Sequence, residues 1–509
     1  MSARAGAQLA TSLPSAGTLA VGLAVALIVI AALVAVMRRH RDAFPLLAVF
    51  TLPFRVPISA DGRTVNLLVP LYLVVAAGTL AHLLPRLLGG RAATGALAGG
   101  TGAARCETAS ASSAGDAGLS PTRLRWWASP RGVEWLLLIT IGLYALQTLY
   151  SSDRAKAAEN IAFFYVPFAL LFVILRDVRW TRELLARCLG VAVTLAVLFA
   201  GVGFVEYYRK ALFLNPKVVA ADQYDNYFRV NSVFFDPSIY GRFLALVMIA
   251  VMTVVLSGRT SRGGPTAHSS ERRRDMLVGA AVLAWLLAGL ITSFSQSSIV
   301  ALLLGLAVLG AWCWGVRPTL YASGGLLALA AAVVLLAPSS LHFGLKGSSG
   351  SASNATSGRT TLVTGGLELF AARPLQGYGS GSFETEYKRH SKASAASAEN
   401  ATSASHTIPV TVAAEQGIVG LAVYAALLIA AFVVLFRGAG RSPPRIAIAA
   451  CFAAIVLHTW TYADFLEDPF TWTLLALGVA LARQGQARAA SSGDADSAAG
   501  EAGVPASSV

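Results

Sequence analysis

IPVTVAAEQGIVGLAVYAALLIAAFVVLFRGAGRSPPRIAIAACFAAIVLHTWTY, residues 408–462, is the stretch that decides the fold. Two apolar runs, near 409–436 and 446–462, flank a short joint that carries Arg437, Arg441 and Arg445. A helix of about 20 apolar residues crosses the roughly 30 Å of hydrocarbon in a bilayer, and arginines near its end stay on the cytoplasmic side. The segment therefore reads as two membrane helices joined by a cytoplasmic turn.

Working outward, runs of the same kind recur near 18–37, 43–58, 64–84, 133–150, 160–175, 189–208, 236–257, 276–292, 298–314, 319–337 and 469–483. The run near 43–58 is short and holds Pro45, Pro53 and Pro57. The expected fold is all-α: a polytopic transmembrane helical bundle of about 12–13 spans with one large extracytoplasmic loop carrying short helices. A hydrophobic fraction of 55% with 13% charged residues excludes an ordinary soluble domain. Mean hydropathy of +0.63 agrees.

The net charge of +14 does not point to nucleic acid, because it is unevenly placed. Segments read as inside carry 24 arginines and no lysine against 11 acids, whereas those read as outside are close to neutral. This asymmetry sets the orientation, with the C-terminus cytoplasmic and residues 338–408 outside. The N-terminus is outside if every run spans and inside if one does not. The first run has only Arg4 before it and no small-residue cleavage site after it, so it reads as a retained span. Cys106, Cys188, Cys313 and Cys451 are scattered, with neither a disulfide framework nor metal-ligand spacing.

The chain divides into N-terminal helices (1–88), a Gly/Ala/Ser-rich cytoplasmic linker (89–131), central helices (132–337) with an outer loop at 209–235, the large loop (338–408), C-terminal helices (409–483) and a polar tail (484–509). Within the large loop, Thr360 to Phe370 has helical spacing that Arg373–Pro374 ends. The glycines of PLQGYGSGSF, 374–383, then permit tight turns. His406 stands just before a membrane helix whose first turn suits Pro409. A polar loop this long beside a membrane is usually functional.

Arg229, Arg242, Arg359, Arg373 and His406 collect at the outer border. Arg242 lies inside an apolar run beyond Asp236–Pro237, and an intramembrane arginine is a candidate site residue by default. Guanidinium forks suit phosphate oxygens, so these arginines suggest a diphosphate-linked lipid; the plain alternative is snorkelling to ordinary headgroups. His406 is a candidate base toward a hydroxyl. Glu415 reads as a structural group bonding the loop. Asp464, Glu467 and Asp468 read as a solvated acidic turn, with metal or sugar-hydroxyl binding the lesser alternative.

These motifs, taken in order, resemble the O-antigen ligase and polymerase family of bacterial membrane glycosyltransferases. The family pattern is an Arg-led helix, PLxGxGxGxF, a His and ExGxxGL. Here it is Arg359, then Pro374 to Phe383, then His406, then Glu415 to Leu421. RVNSVFFDPSIYGRFLAL, 229–246, looks like the family's Arg and aromatic–x–Pro segment opening a helix. The resemblance, over roughly residues 40–483, implies transfer of a glycan from an undecaprenyl-diphosphate donor on the outer face of the inner membrane. It implies no metal or other cofactor. The acceptor would be a second carrier-linked glycan, a lipid core, a protein or the wall. His406 would be the base and Arg359 a diphosphate ligand. One departure stands out: the family has Ser-Arg-Gly before the loop, where this chain has Ser295–Gln296–Ser297. Gln296 cannot neutralise a phosphate, so Arg242 or Arg229 substitutes or the donor is handled differently. The rival class, a transporter or lipid flippase, would place charges deep in several spans and show repeat symmetry. A non-catalytic scaffold would leave the Arg/His convergence without a role.

Overall fold

The computed structural model describes residues 16–60, 63–88, 128–213, 228–260, 269–336, 351–390 and 407–501. Among these, nine helices are long and apolar enough to cross a membrane: Ala20–Arg39, Val69–Leu88, Arg154–Arg176, Arg182–Arg209, Pro237–Ser257, Arg273–Thr292, Gln296–Trp314, Ile408–Arg441 and Pro443–Thr461. The helices Pro130–Thr148, Val316–Leu336 and Pro469–Glu501 occupy further runs read as spans. The last continues well past residue 483. The chain is a polytopic helical bundle, as the apolar runs require.

The run near 43–58 departs from the expectation. It forms a nine-residue helix, Ala43–Thr51, about 13 Å long and less than half the hydrocarbon thickness. Pro53 follows it, and the chain then turns into strand Val56–Ala60, which pairs antiparallel with Arg63–Leu67. The next helix therefore begins at Val69 rather than near residue 64. Proline removes an amide donor and favours extended backbone, which accounts for both the break and the hairpin. Apart from this hairpin the described residues form the helical bundle expected.

Ion pairs gather at the arginine-rich pole: Arg86 with Asp177 at 2.7 Å, Arg176 with Glu134 at 2.9 Å, and Arg483 also with Glu134. The opposite pole carries the turns at 149–153, 293–295 and 462–468 and the helices Ser351–Ala372 and Phe383–His390. Between the poles, Pro237–Thr260 lies at the centre, with Phe243, Leu244 and Ile249 buried. Lipid tails are as apolar as leucine, so such contacts rely on close packing of small residues. A Cβ on Gly305 would collide with Ile249, and one on Gly241 would lie 2.7 Å from the Ser298 hydroxyl.

A π turn at Ile161–Tyr165 interrupts the helix that starts at Arg154. Pro167, at the start of the α-helical stretch Val166–Arg176, lacks the N–H that would bond the preceding turn. The wider turn brings Tyr165 onto Tyr144, with ring centroids 4.3 Å apart.

Candidate functional site

The helix Ser351–Ala372 ends where Arg373–Pro374 predicts, and the chain turns back through Gly377, Gly379 and Gly381, all at positive φ. Facing this turn, the helix Ile408–Phe436 breaks at Gly417, with φ 66° and ψ −164°. The break frees backbone groups that the turn then satisfies. Ile418 N donates to Pro374 O at 2.7 Å, Tyr378 N to Ala414 O at 3.2 Å and Gly379 N to Glu415 O at 2.8 Å. The Glu415 carboxylate accepts from Gly381 N at 2.9 Å and Phe383 N at 3.1 Å. Glu415 thus bonds the loop, as its place in the sequence suggested. Residues 150–152 close the other side: the Tyr150 hydroxyl donates to Gln376 O at 2.8 Å and the Ser151 hydroxyl to Ser380 O at 2.8 Å. The two glycine motifs are therefore halves of one backbone clasp.

Gly417 occupies a region of backbone space open essentially to glycine, and a Cβ there would strike the Leu375 carbonyl. Gly417→Val is expected to open the clasp, giving a lower melting temperature in detergent and faster proteolysis within residues 374–383. Gly142→Ala is the control, because nothing lies within 4 Å of the added carbon. Equal melting and proteolysis of the two variants would contradict the clasp.

Beside the clasp lies a buried polar cluster. Arg242, 2% exposed, pairs with Asp468, 1% exposed, at 2.8 Å. Asp468 also accepts from Phe470 N at 2.9 Å, tying the pair to the start of the last helix. Asp468 is therefore no part of a solvated turn; residues 462–468 fold its side chain inward. His458, fully buried, sets Nε2 3.1 Å from the Ser298 hydroxyl and 3.3 Å from that of Ser297. Asn160 bridges the two subsites, donating to Glu467 at 3.1 Å and to the Tyr144 hydroxyl at 2.9 Å. Burial and the neighbouring Asp464 push the Glu467 carboxyl up, while Lys156 and Arg55 draw it down. Ser232, Phe294 and Asp464 adopt positive φ in the turns around this cluster, strain that recurs at functional sites.

The expected site residues fall as follows. Arg229 is half-buried, with Nε 3.4 Å from Ser293 O, and Val230 N bonds Thr292 O at 3.2 Å. Arg229 therefore sits against the turn that leads into Gln296, which is exposed at the head of its helix. Asp236 accepts from Ser238 N at 2.6 Å, capping the helix that begins at Pro237, and is hydrogen-bonded to Tyr462. Arg242 is committed to Asp468. Arg359 lies on Ser351–Ala372, with only its backbone described, and His406 is outside the described residues. The helix of Arg359 packs on the helix that follows His406: a Cβ on Gly366 would lie 2.6 Å from Val410. Arg373 stacks on Tyr378 at 4.5 Å.

The sequence reading missed Asp468 as a partner of Arg242, and it missed His458. An ionisable group inside an apolar run was the available signal for His458. Among the described residues, no group of three or more His, Cys, Asp or Glu is placed to hold a metal.

Residues 281–425 match the family model described as O-Antigen ligase. No curated protein matches the chain. The matched segment takes in the turn at Gln296, the helix of Arg359 and both halves of the clasp, so the resemblance seen in the motifs holds over that region.

Proposed function

We propose that this protein is a membrane glycosyltransferase that moves a glycan from a polyprenyl-diphosphate carrier to an acceptor hydroxyl at the outer face of the cytoplasmic membrane. The observation that carries the reading is the clasp: two of the O-antigen ligase-like motifs, Pro374 to Phe383 and Glu415 to Leu421, interlock backbone to backbone. It sits at the pole where Arg229, Asp236 and the Gln296 turn also lie. An outer segment anchored this firmly over residues 374–383 suits a reaction better than a passive span.

In this reading the acceptor oxygen attacks the anomeric carbon as the bond from that carbon to the diphosphate oxygen breaks. His406 takes the acceptor proton, and the electron pair of the broken bond stays on the leaving diphosphate. Arg359 and Arg229 stabilise the charge that builds there, and donors placed in advance cost no reorganisation during the reaction. Arg242 acts through Asp468, holding the turn at 462–468 beneath the site. The orientation rests on the arginine excess at the opposite pole.

The geometry favours Arg229 as the substitute for the arginine absent at Gln296, because Arg229 rests on the same turn. Arg229→Gln is expected to lower transfer by about 10²–10³-fold, the usual effect of losing one such donor. Gln296→Arg in that background is expected to restore part of the rate. The readout is glycan transferred from a carrier-linked donor by purified protein. Full activity in Arg229→Gln would remove Arg229 from the site. A flippase would instead move the carrier-linked glycan across the bilayer without cleaving it.

A further inference from the structure

We propose that a crevice at the arginine-rich pole binds an anionic phospholipid, with its phosphate among the rim arginines and a tail between the helices. This site lies at the opposite end of the bundle from the clasp and does not rest on the glycan-transfer reading.

The crevice has a volume of about 1960 Å³ and lies between the helices Arg182–Arg209, Pro237–Thr260, Pro443–Thr461 and Pro469–Glu501. Its mouth carries Arg179, Arg182, Arg437 and Arg441, all exposed. Among the described residues lining it there is no Asp or Glu. Its walls are apolar, with Leu189, Val193, Ala250 and Leu474 facing the space. Its floor is the ring pair Phe243 and Phe470, 5.7 Å apart, which follow Arg242 and Asp468 by one and two residues in the chain.

The dimensions fit an amphiphile. Ser257 near the mouth and Phe243 at the floor lie on one helix, and their separation in sequence corresponds to about 21 Å. That exceeds the roughly 15 Å of hydrocarbon in one leaflet, so a tail can run its full depth against protein. Guanidinium forks bind phosphate oxygens in bidentate fashion, and basic pockets between membrane helices select anionic headgroups. Charge complementarity also argues against the nearby linker as occupant. Residues 89–127 carry Arg91, Arg105, Arg123 and Arg125 against Glu107 and Asp116, a cationic excess that the rim would repel.

The test is native mass spectrometry of the purified full chain with phosphatidylglycerol or phosphatidylcholine of identical tails. Wild-type protein is expected to retain phosphatidylglycerol at least about tenfold better, as several arginines near one phosphate imply. The triple variant Arg182→Gln, Arg437→Gln, Arg441→Gln is expected to bring the two lipids to parity. Ala250→Trp, which fills the wall without touching a charge, is expected to lower retention of both. Helical content and melting temperature are compared first, and if Ala250→Trp fails to fold, the triple variant decides alone. A photoreactive residue at position 189 is expected to yield an adduct of phosphatidylglycerol mass. Equal retention of the two lipids by wild-type protein, unchanged preference in the triple variant, or an adduct to the chain's own peptides would each overturn the proposal.

Discussion

His406→Ala is expected to lower glycan transfer by about 10²–10⁴-fold while the protein accumulates normally in the membrane. That range is the usual contribution of a positioned general base, and imidazole titrates near neutral pH without further tuning. His406 stands one residue before Thr407, which precedes the helix Ile408–Phe436. That helix is anchored near its start by the clasp and by the contact of Val410 with Gly366. Arg359 lies two turns before Gly366, about 10 Å along the helix axis. Arg359→Ala is accordingly expected to cost about 10²–10³-fold, as for the loss of one donor to a developing oxyanion. Both variants are to be assayed beside wild type at matched melting temperature, with a carrier-linked glycan as donor. Full activity in both would remove the proposed chemistry from this loop.

Asp468→Ala is expected to destabilise the bundle by about 3–5 kcal/mol, the usual result of leaving one member of a buried ion pair without its partner. The Arg242 guanidinium is 2% exposed, and Asp468 is its only recorded carboxylate partner among the described residues. The same change removes the cap that Phe470 N finds on Asp468. Replacing both charges, as in Arg242→Met with Asp468→Leu, is expected to recover much of the loss, because two matched apolar groups leave no uncompensated charge. Denaturation in a single detergent would read both effects. A double variant no more stable than Asp468→Ala would show that the cap and its backbone, rather than the ion pair, carry the stability.

Much of the bundle was legible because hydrocarbon thickness sets helix length and arginine placement marks one face, and both are local properties of sequence. Arg373–Pro374 ended its helix as read, and Glu415 proved to bond the loop. The hairpin at 56–67 was missed because its ends, Val56 to Ile58 and Thr64 to Leu67, join the apolar runs on either side, and the prolines signalled the break without saying what replaced it. The clasp and the Arg242–Asp468 pair were illegible for a different reason. Gly377 and Gly417, or Arg242 and Asp468, meet only when segments far apart in sequence pack together, and nothing local to either position names its partner. The glycines of 374–383 were read correctly as turn formers and the break at Gly417 was not foreseen; the more specific duty of both sets is to let two backbones touch.

The most direct measurement of the central claim is a reconstitution of purified protein in lipid vesicles with an undecaprenyl-diphosphate-linked glycan and a hydroxyl-bearing acceptor. Undecaprenyl diphosphate and glycosylated acceptor are quantified together. The account predicts that they form in equal amounts, and that the acceptor product, a longer carrier-linked glycan or a decorated lipid, protein or wall fragment, identifies the reaction as polymerisation or ligation. A donor that stays intact, or that crosses the vesicle bilayer with its sugar–diphosphate bond unbroken, would contradict it.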